Sequence, residues 1–479
     1  MDVSVQQMSG GGEQAGPASL DDLAVFRCAF YDCLSLRADA LFELTDAVLC
    51  AEGPVSTLVG LTLTAEHRRG HGALYDGLCS GRIEVDRLRR SLASLPLPRD
   101  AHGRITLAVD VSPWLRPDAA TSPDRSFCHV YGRGKGQAQM IPGWPYSFVA
   151  ALEPGRTSWT ALLDAVRLGP GDDATTVTAT QLREVIHRLQ HSGQHTPGDP
   201  DILIVFDAGY DVTRLAFLLA DLPVELLGRL RSDRVFAFPA PPRPPSAPGR
   251  PSKHGPEFAL ADIETQPEPN TITLTDTRRY GTARACAWNR LHPRLTHRAA
   301  WESHQGPLPI IEGSIICLRV ERLPGDRNPK PVWLWASRPD LSDTDLNRLW
   351  RAFLRRFDLE HTFRFLKQTL GWTRPRIRTP DQGERWTWII LAAHTQLRLA
   401  RHLTSDLRRP WEKPVTKPHR LTPARIRRGF RNLRPKTALP ANAPKPTRPG
   451  PGRPPGVKNR QPTHRHDVGK NSTTKAKAG

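Results

Sequence analysis

Hydrophobic positions recur at intervals of three, four and seven along the first hundred residues. From Ser19 onward, Leu23, Phe26, Phe30, Leu34 and Leu41 share a helical face, and Ser19 with Asp22 makes a capping box. The same spacing returns around Glu66–Leu78, and again at Val85, Leu88, Leu92 and Leu95, until Pro96 and Pro98 end it. A helical N-terminal domain over 19–99 is predicted, behind a disordered segment 1–18 without apolar pattern. The period then shortens. Arg104–Ser112 (RITLAVDVS) reads as a buried strand that brings Asp110 to its end. Ser126–Tyr131 and Gln139–Leu152 predict an antiparallel hairpin around Gly132–Gln137. Asp201–Tyr210 (DILIVFDAGY) is continuously apolar from Ile202 to Phe206, as a strand covered on both faces should be, and it ends at Asp207. Between these runs, Thr178–Gln190 predicts a helix capped by Thr178 and Gln181. Asp211 caps another over Val212–Leu222, and strand-like runs follow at Leu226–Arg231 and Val235–Phe238.

Pro239–Gly255 excludes helix and central strand and reads as an exposed basic linker. Short β-like runs follow at Thr271–Leu274, Ala283–Trp288, Ser314–Glu321 and Pro331–Ala336, with Trp288, Trp333 and Trp335 as their expected core. Leu346–Gly371 then predicts one long amphipathic helix, capped by Ser342 and Asp345 and stopped by Gly371. Gln382–Leu403 predicts a last core helix.

Charge changes the picture at the C-terminus. The net charge of the 479 residues is +20, and nearly all of it lies beyond residue 400. A near-neutral body with a polycationic end points to a polyanionic partner, most simply nucleic acid. Residues 404–479 read as a disordered basic tail, in which Arg425–Arg434 is a candidate to fold on DNA and Arg453, within PGRPPG, is placed for a minor groove. Seven scattered cysteines without a CxxC pair fit a reducing compartment rather than a disulfide frame. No apolar run approaches membrane-spanning length, so a cytoplasmic protein is expected. The loop Gly132–Gln137 lacks the Lys-Ser/Thr ending of a phosphate loop.

The candidate chemistry lies in three acids. Asp110 and Asp207 end buried strands, while Glu360 shares one helix face with Phe353, Arg356 and Lys367, spread over about 21 Å. Carboxylates suit Mg²⁺ or Mn²⁺, and three of them can hold two such ions for an in-line phosphoryl displacement. Asp211 and Asp358 compete with Asp207 and Glu360 for these roles.

The spacing F-x2-R-x3-E-x6-K over Phe353–Lys367 resembles the Tyr-Arg-Glu-Lys signature of bacterial insertion-sequence transposases of the DDE superfamily, with Phe353 in place of the Tyr. That resemblance implies an α/β fold with a ribonuclease H-like mixed-sheet core over 100–238 and 340–403, and a β-rich insertion with its linker over 239–339. It implies Asp110, Asp207 and Glu360 as catalytic, metal-binding residues for two Mg²⁺ (or Mn²⁺) ions. Phe353, Arg356, Arg364, Lys367 and Arg453 become candidate DNA contacts. The N-terminal helices would help hold the element's terminal inverted repeats, with Glu66–Gly72 (EHRRGHG) as a candidate turn, although a solvated helix start is the plainer reading. Water would nick the element end, and the freed 3′-hydroxyl would then attack target DNA. Two copies would assemble on the DNA ends, beside the nucleoid. A ribonuclease H-fold nuclease or resolvase without strand transfer would use the same acids but leave the insertion, Arg356 and Lys367 unexplained. A decayed transposase that only binds DNA would have no need of all three acids.

Overall fold

The computed structural model describes residues 18–130, 139–155, 157–242, 249–302, 304–323, 329–415, 420–445 and 465–467. The N-terminal helices are α1 (Leu20–Asp32), α2 (Ala38–Cys50), α3 (Leu58–Leu61), α4 (His71–Ser80) and α5 (Val85–Ala93), with short strands β1 (Leu34–Leu36) and β2 (Arg82–Ile83) between them. The Ser19–Asp22 capping box opens α1. The chain then enters a large mixed sheet through β3 (Thr106–Leu115), β4 (Arg125–Val130), β5 (Gln139–Leu152) and β6 (Thr160–Arg167). Helix α6 (Ala174–His191), β7 (Ile202–Phe206), α7 (Val212–Leu218) and β8 (Val224–Leu230) follow. Around β3, the sheet runs β6-β5-β3-β7-β8: β5 pairs antiparallel with β3 and β6, whereas β7 pairs parallel with β3 and β8.

The sheet continues through β9 (Val235–Pro239), β10 (His254–Ala259), β11 (Thr271–Thr277), β12 (Gly281–Pro293), β13 (Gly313–Val320) and β14 (Val332–Ala336). The segment expected as a separate insertion is therefore joined to the rest edge to edge, because β14 pairs antiparallel with β8 from Trp333–Leu230 to Ala336–Leu227. The expected linker is the connection of a β9–β10 pair, with Pro239 opposite His254 at its mouth, where a missing N–H costs least. Trp288, Trp333 and Trp335, the expected core, are all buried, and the first two lie 5.9 Å apart.

Strand alternation explains the layers. Ile202, Ile204 and Phe206 of β7 face α6 and α7, whereas Leu203 and Val205 face the other way, onto α8 (Asp343–Arg355). β6 carried no clear signal because Asp164 interrupts its apolar run. That carboxylate is fully buried and satisfied by Arg89 of α5 at 3.0 Å and Arg188 of α6 at 2.5 Å. The helix α6 begins at Asp173, which caps Thr175, rather than at Thr178; Gln181 instead bonds Ser147 of β5.

The expected long helix is two: α8 ends at Arg355 and α9 (Phe357–Gln368) begins two residues on, with three-residue hydrogen bonds tightening the joint at Arg356. Gly371 ends it at φ +73°, where a Cβ would sit 2.5 Å from the Val55 carbonyl oxygen. Helix α10 (Pro380–Leu399), which opens with a Thr379–Gln382 capping box, is buried over most of its length.

The basic tail departs most from expectation. Pro423–Leu433 is a helix, α11, that buries Ile426, Phe430 and Leu433 in the same cluster as α1, α2 and α10. Its arginines are spent internally: Arg425 on Asp406, Arg428 on Glu412, Arg431 on Glu52 and Glu66, and Arg427 on the carbonyls of Val48 and Gly53. Arg434 joins the buried Arg27–Asp46 pair at 2.7 Å. Sequence separation hid this, since every partner in α2 and its loops lies more than 360 residues away. A further strand, β15 (Arg465–Asp467), runs parallel beside β4.

Candidate active site

Two neighbouring strands and one helix build the site: Asp110 lies in the middle of β3, which runs on to Leu115 rather than ending at the acid as the sequence suggested, and Asp207 directly follows β7. Ala108 and Asp110 share one face of β3, as Val205 and Asp207 share one face in β7, and the parallel register sets Val109 beside Phe206. Both acids therefore leave the sheet side by side and on the same side, beneath α8 and α9. The tight joint between those helices drops Arg356 into the space between them.

Arg356 contacts all three acids. Its Nη1 lies 3.1 Å from Asp110 Oδ2, and its Nη2 lies 3.1 Å from Glu360 Oε1 and 3.6 Å from Asp207 Oδ2. The guanidinium is nearly buried, whereas the acids retain partial exposure toward a cleft. Asp207 Oδ1 has no hydrogen-bond partner among the described residues. The competing acids are engaged elsewhere: Asp211 caps α7 at Arg214, and Asp358 pairs with Arg355 at 2.5 Å.

Burial pushes the Asp110 carboxyl up to about 6, against the pull of Arg356 and with help from Asp207. Lys367 lies at the other end of α9, 5.6 Å from the Trp372 ring, where burial pulls its ammonium down to about 8 despite attraction from Asp110. Two neighbours escaped sequence analysis. The Tyr210 hydroxyl is buried, and burial holds it well above its usual range against the pull of the Ser147 side chain. Arg229 of β8 reaches to 3.9 Å from Asp207. Gly209, next to the strand-end acid, was the only local hint of an approach here. The cleft beside Asp207 is lined by Arg229, Arg231, Lys330 and Trp333.

Phe353, expected at the DNA, is instead a core residue: it is 8 % exposed and packs with Leu203, Val205, Leu227 and Trp350 between α8 and the sheet. The helical break puts it on the buried side while Arg356 turns to the cleft. Arg364 is exposed on α9. Arg453 and the Gly132–Gln137 loop lie outside the described residues. The Glu66–Gly72 turn does not offer its cations: Arg68 pairs with Glu43 and Arg69 with Asp39.

Among the described residues, no three His, Cys, Asp or Glu side chains stand ready as a metal cage. The donor set nonetheless suits a hard divalent cation, because three carboxylates converge and Asp207 Oδ1 is buried with spare acceptor capacity.

A mixed α/β fold with acids from two neighbouring inner strands and one helix gathered on one face of a large sheet defines the class. The chain matches the model of the DDE superfamily endonucleases over residues 29–294, more than half its length, and it belongs to that family. The matched stretch contains Asp110 and Asp207 and ends before α8. Membership places the protein among nucleases that act on DNA. None of the curated proteins compared with it matches. Among the described residues no helix is long and apolar enough to cross a membrane.

Proposed function

We propose that the protein is a DNA transposase that cleaves the ends of an insertion sequence and joins them to target DNA. The observation that carries this reading is the meeting of Asp110, Asp207 and Glu360 on one guanidinium. The strand order β6-β5-β3-β7-β8, with β3 central and only β5 running against the rest, supports a ribonuclease H-like core.

Asp110, Asp207 and Glu360 would hold Mg²⁺ or Mn²⁺ ions, which when bound supply activation of the attacking oxygen and neutralisation of the leaving one. The chain's own groups prepare the rest. Arg356 keeps the three like charges together until DNA and cations enter, and its fork can then turn to a phosphate. Lys367 and the cations of the cleft beside Asp207 hold the strand against the acids. Two copies would act together, one on each element end.

The experiment is incubation of the protein with labelled DNA carrying whatever inverted repeats sequencing finds beside its gene, with Mg²⁺ and a second, unlabelled DNA. Cleavage at the repeat followed by joining supports a transposase. Cleavage without joining would reduce it to a nuclease, and binding alone to a DNA-binding remnant.

A further inference from the structure

The segment between α9 and α10 reads T-R-P-R-I-R-T, from Thr373 to Thr379, and it alternates with period two. Arg374, Arg376 and Arg378 are exposed, while Trp372, Pro375, Ile377 and Pro380 are buried. The fold pins this segment at both ends and in the middle. Arg374 N–H donates to the Gly371 carbonyl at 3.0 Å, the buried Arg116 guanidinium donates to the Ile377 carbonyl, and Arg378 N–H donates to the Gln382 side chain at 3.0 Å. No acid pairs with any of the three arginines among the described residues. This contrasts with α11, whose arginines all have internal partners. Three like charges on one short, exposed ridge repel one another, and among the described residues no carboxylate lies within ion-pair distance of any of them.

Their spacing and position give the reason. Two residues of extended chain span at most about 6.6 Å, of the order of the separation of successive phosphates on one nucleic-acid strand, and the chain bends at Pro375 between the first two arginines. The ridge starts two residues beyond Trp372, whose ring carries Lys367, and Lys367 in turn feels the charge of Asp110. Arg116, which fastens the ridge, follows the end of β3, the strand that bears Asp110.

We propose that Arg374, Arg376 and Arg378 form a track for the phosphates of one DNA strand leading away from the three acids, read without regard to base sequence. This rests on the DNA-cleaving function proposed above and adds to it the place where the strand leaves the site. The test uses the full chain and a fluorescent duplex, bound with Ca²⁺ over a series of salt concentrations. Each lost phosphate contact lowers the slope of log affinity against log salt by about 0.9, so R374Q/R376Q/R378Q should be shallower by about 2.7. The triple Lys variant should restore the slope, since the charge and not the fork matters here. Should the triple Gln chain fail to fold by circular dichroism, Arg376→Gln alone should lower the slope by about 0.9. An unchanged slope, with wild-type cleavage intact, overturns the track and leaves the functional reading standing. A wild-type chain that neither binds nor cleaves DNA overturns both.

Discussion

The Arg356 guanidinium donates to Asp110 Oδ2 at 3.1 Å across 246 residues of chain. It joins the first acid of the sheet to the helix that carries the third. Three carboxylates gathered between the sheet and α9 repel one another, and a nearly buried cation among them relieves that repulsion. Divalent ions held by the acids, as proposed above, would compete with this cation.

Removing Arg356 should therefore have opposite effects with and without metal. In EDTA, Arg356→Gln should lose about 1–3 kcal/mol of stability, less than for a fully buried pair because two of the acids are over a third exposed. Added Mg²⁺ should raise the melting temperature of the variant by more than it raises that of the wild type. Differential scanning fluorimetry measures both; an equal rise in both proteins would mean that Arg356 does not compete with cations at the acids.

The C-terminal helix should prove structural. Truncation from Thr404 removes Ile426, Phe430 and Leu433 from the core, each worth about 1.5–3 kcal/mol, and leaves Asp46 without Arg434. Against a typical stability of about 5–15 kcal/mol, that loss should abolish cooperative unfolding. Truncation after Lys445 keeps α11 and should melt within a few degrees of the full chain, while its non-specific DNA binding weakens and becomes less salt-dependent. Circular dichroism and a salt series decide both.

A single residue tests the same point. Arg427 is nearly buried and gives 2.9 and 2.8 Å hydrogen bonds to the Val48 carbonyl. Arg427→Met keeps the apolar stem but orphans those carbonyls, and should cost about 2–3 kcal/mol in urea unfolding. A neutral result would show that α11 is held by its apolar face alone.

Lys367 should leave a mark on the pH dependence of stability. Its folded value, about 8, lies below the ordinary 10.5, so between the two the unfolded chain binds more protons. Stability should accordingly gain a rising component from about pH 8 to 10.5. Cys128, which also faces Lys367, does not titrate in this window because burial pushes its thiol up to about 12, and Asp110 is ionised throughout it. Lys367→Met should remove the component, so the wild-type and variant curves should converge upward in pH. Parallel curves would contradict the burial of a charged ammonium.

Much of the fold was readable because local pattern and tertiary demand agree. The apolar run of β7 needs cover on both faces, and α6 and α8 supply it. Asp110, Asp207 and Glu360 could be picked out from local signals, two apolar strand runs and one helix spacing, although β3 runs on past Asp110 to Leu115. What failed depends on distant partners. The joint at Arg356 lies within a helical pattern that runs straight through it, so Phe353 was assigned to the wrong side. The charge of α11 resembled a solvated tail because its counter-ions, Glu66 and Asp46, stand at the opposite end of the chain. Asp164 hid β6 for the same reason.

The central claim is that Asp110, Asp207 and Glu360 act as one metal-dependent centre for cutting DNA. The most direct measurement is cleavage of a labelled element end in Mg²⁺ by the wild type, Asp110→Asn, Asp207→Asn and Glu360→Gln, beside binding of the same end in Ca²⁺. Each substitution keeps the side-chain shape and removes one charge. The account predicts that all three lose cleavage by at least about a thousandfold, the scale of electrostatic catalysis by a single group, while binding is retained or tightened as phosphate repulsion falls. Wild-type cleavage by any one of them would contradict it, and would leave that residue as a structural partner of Arg356.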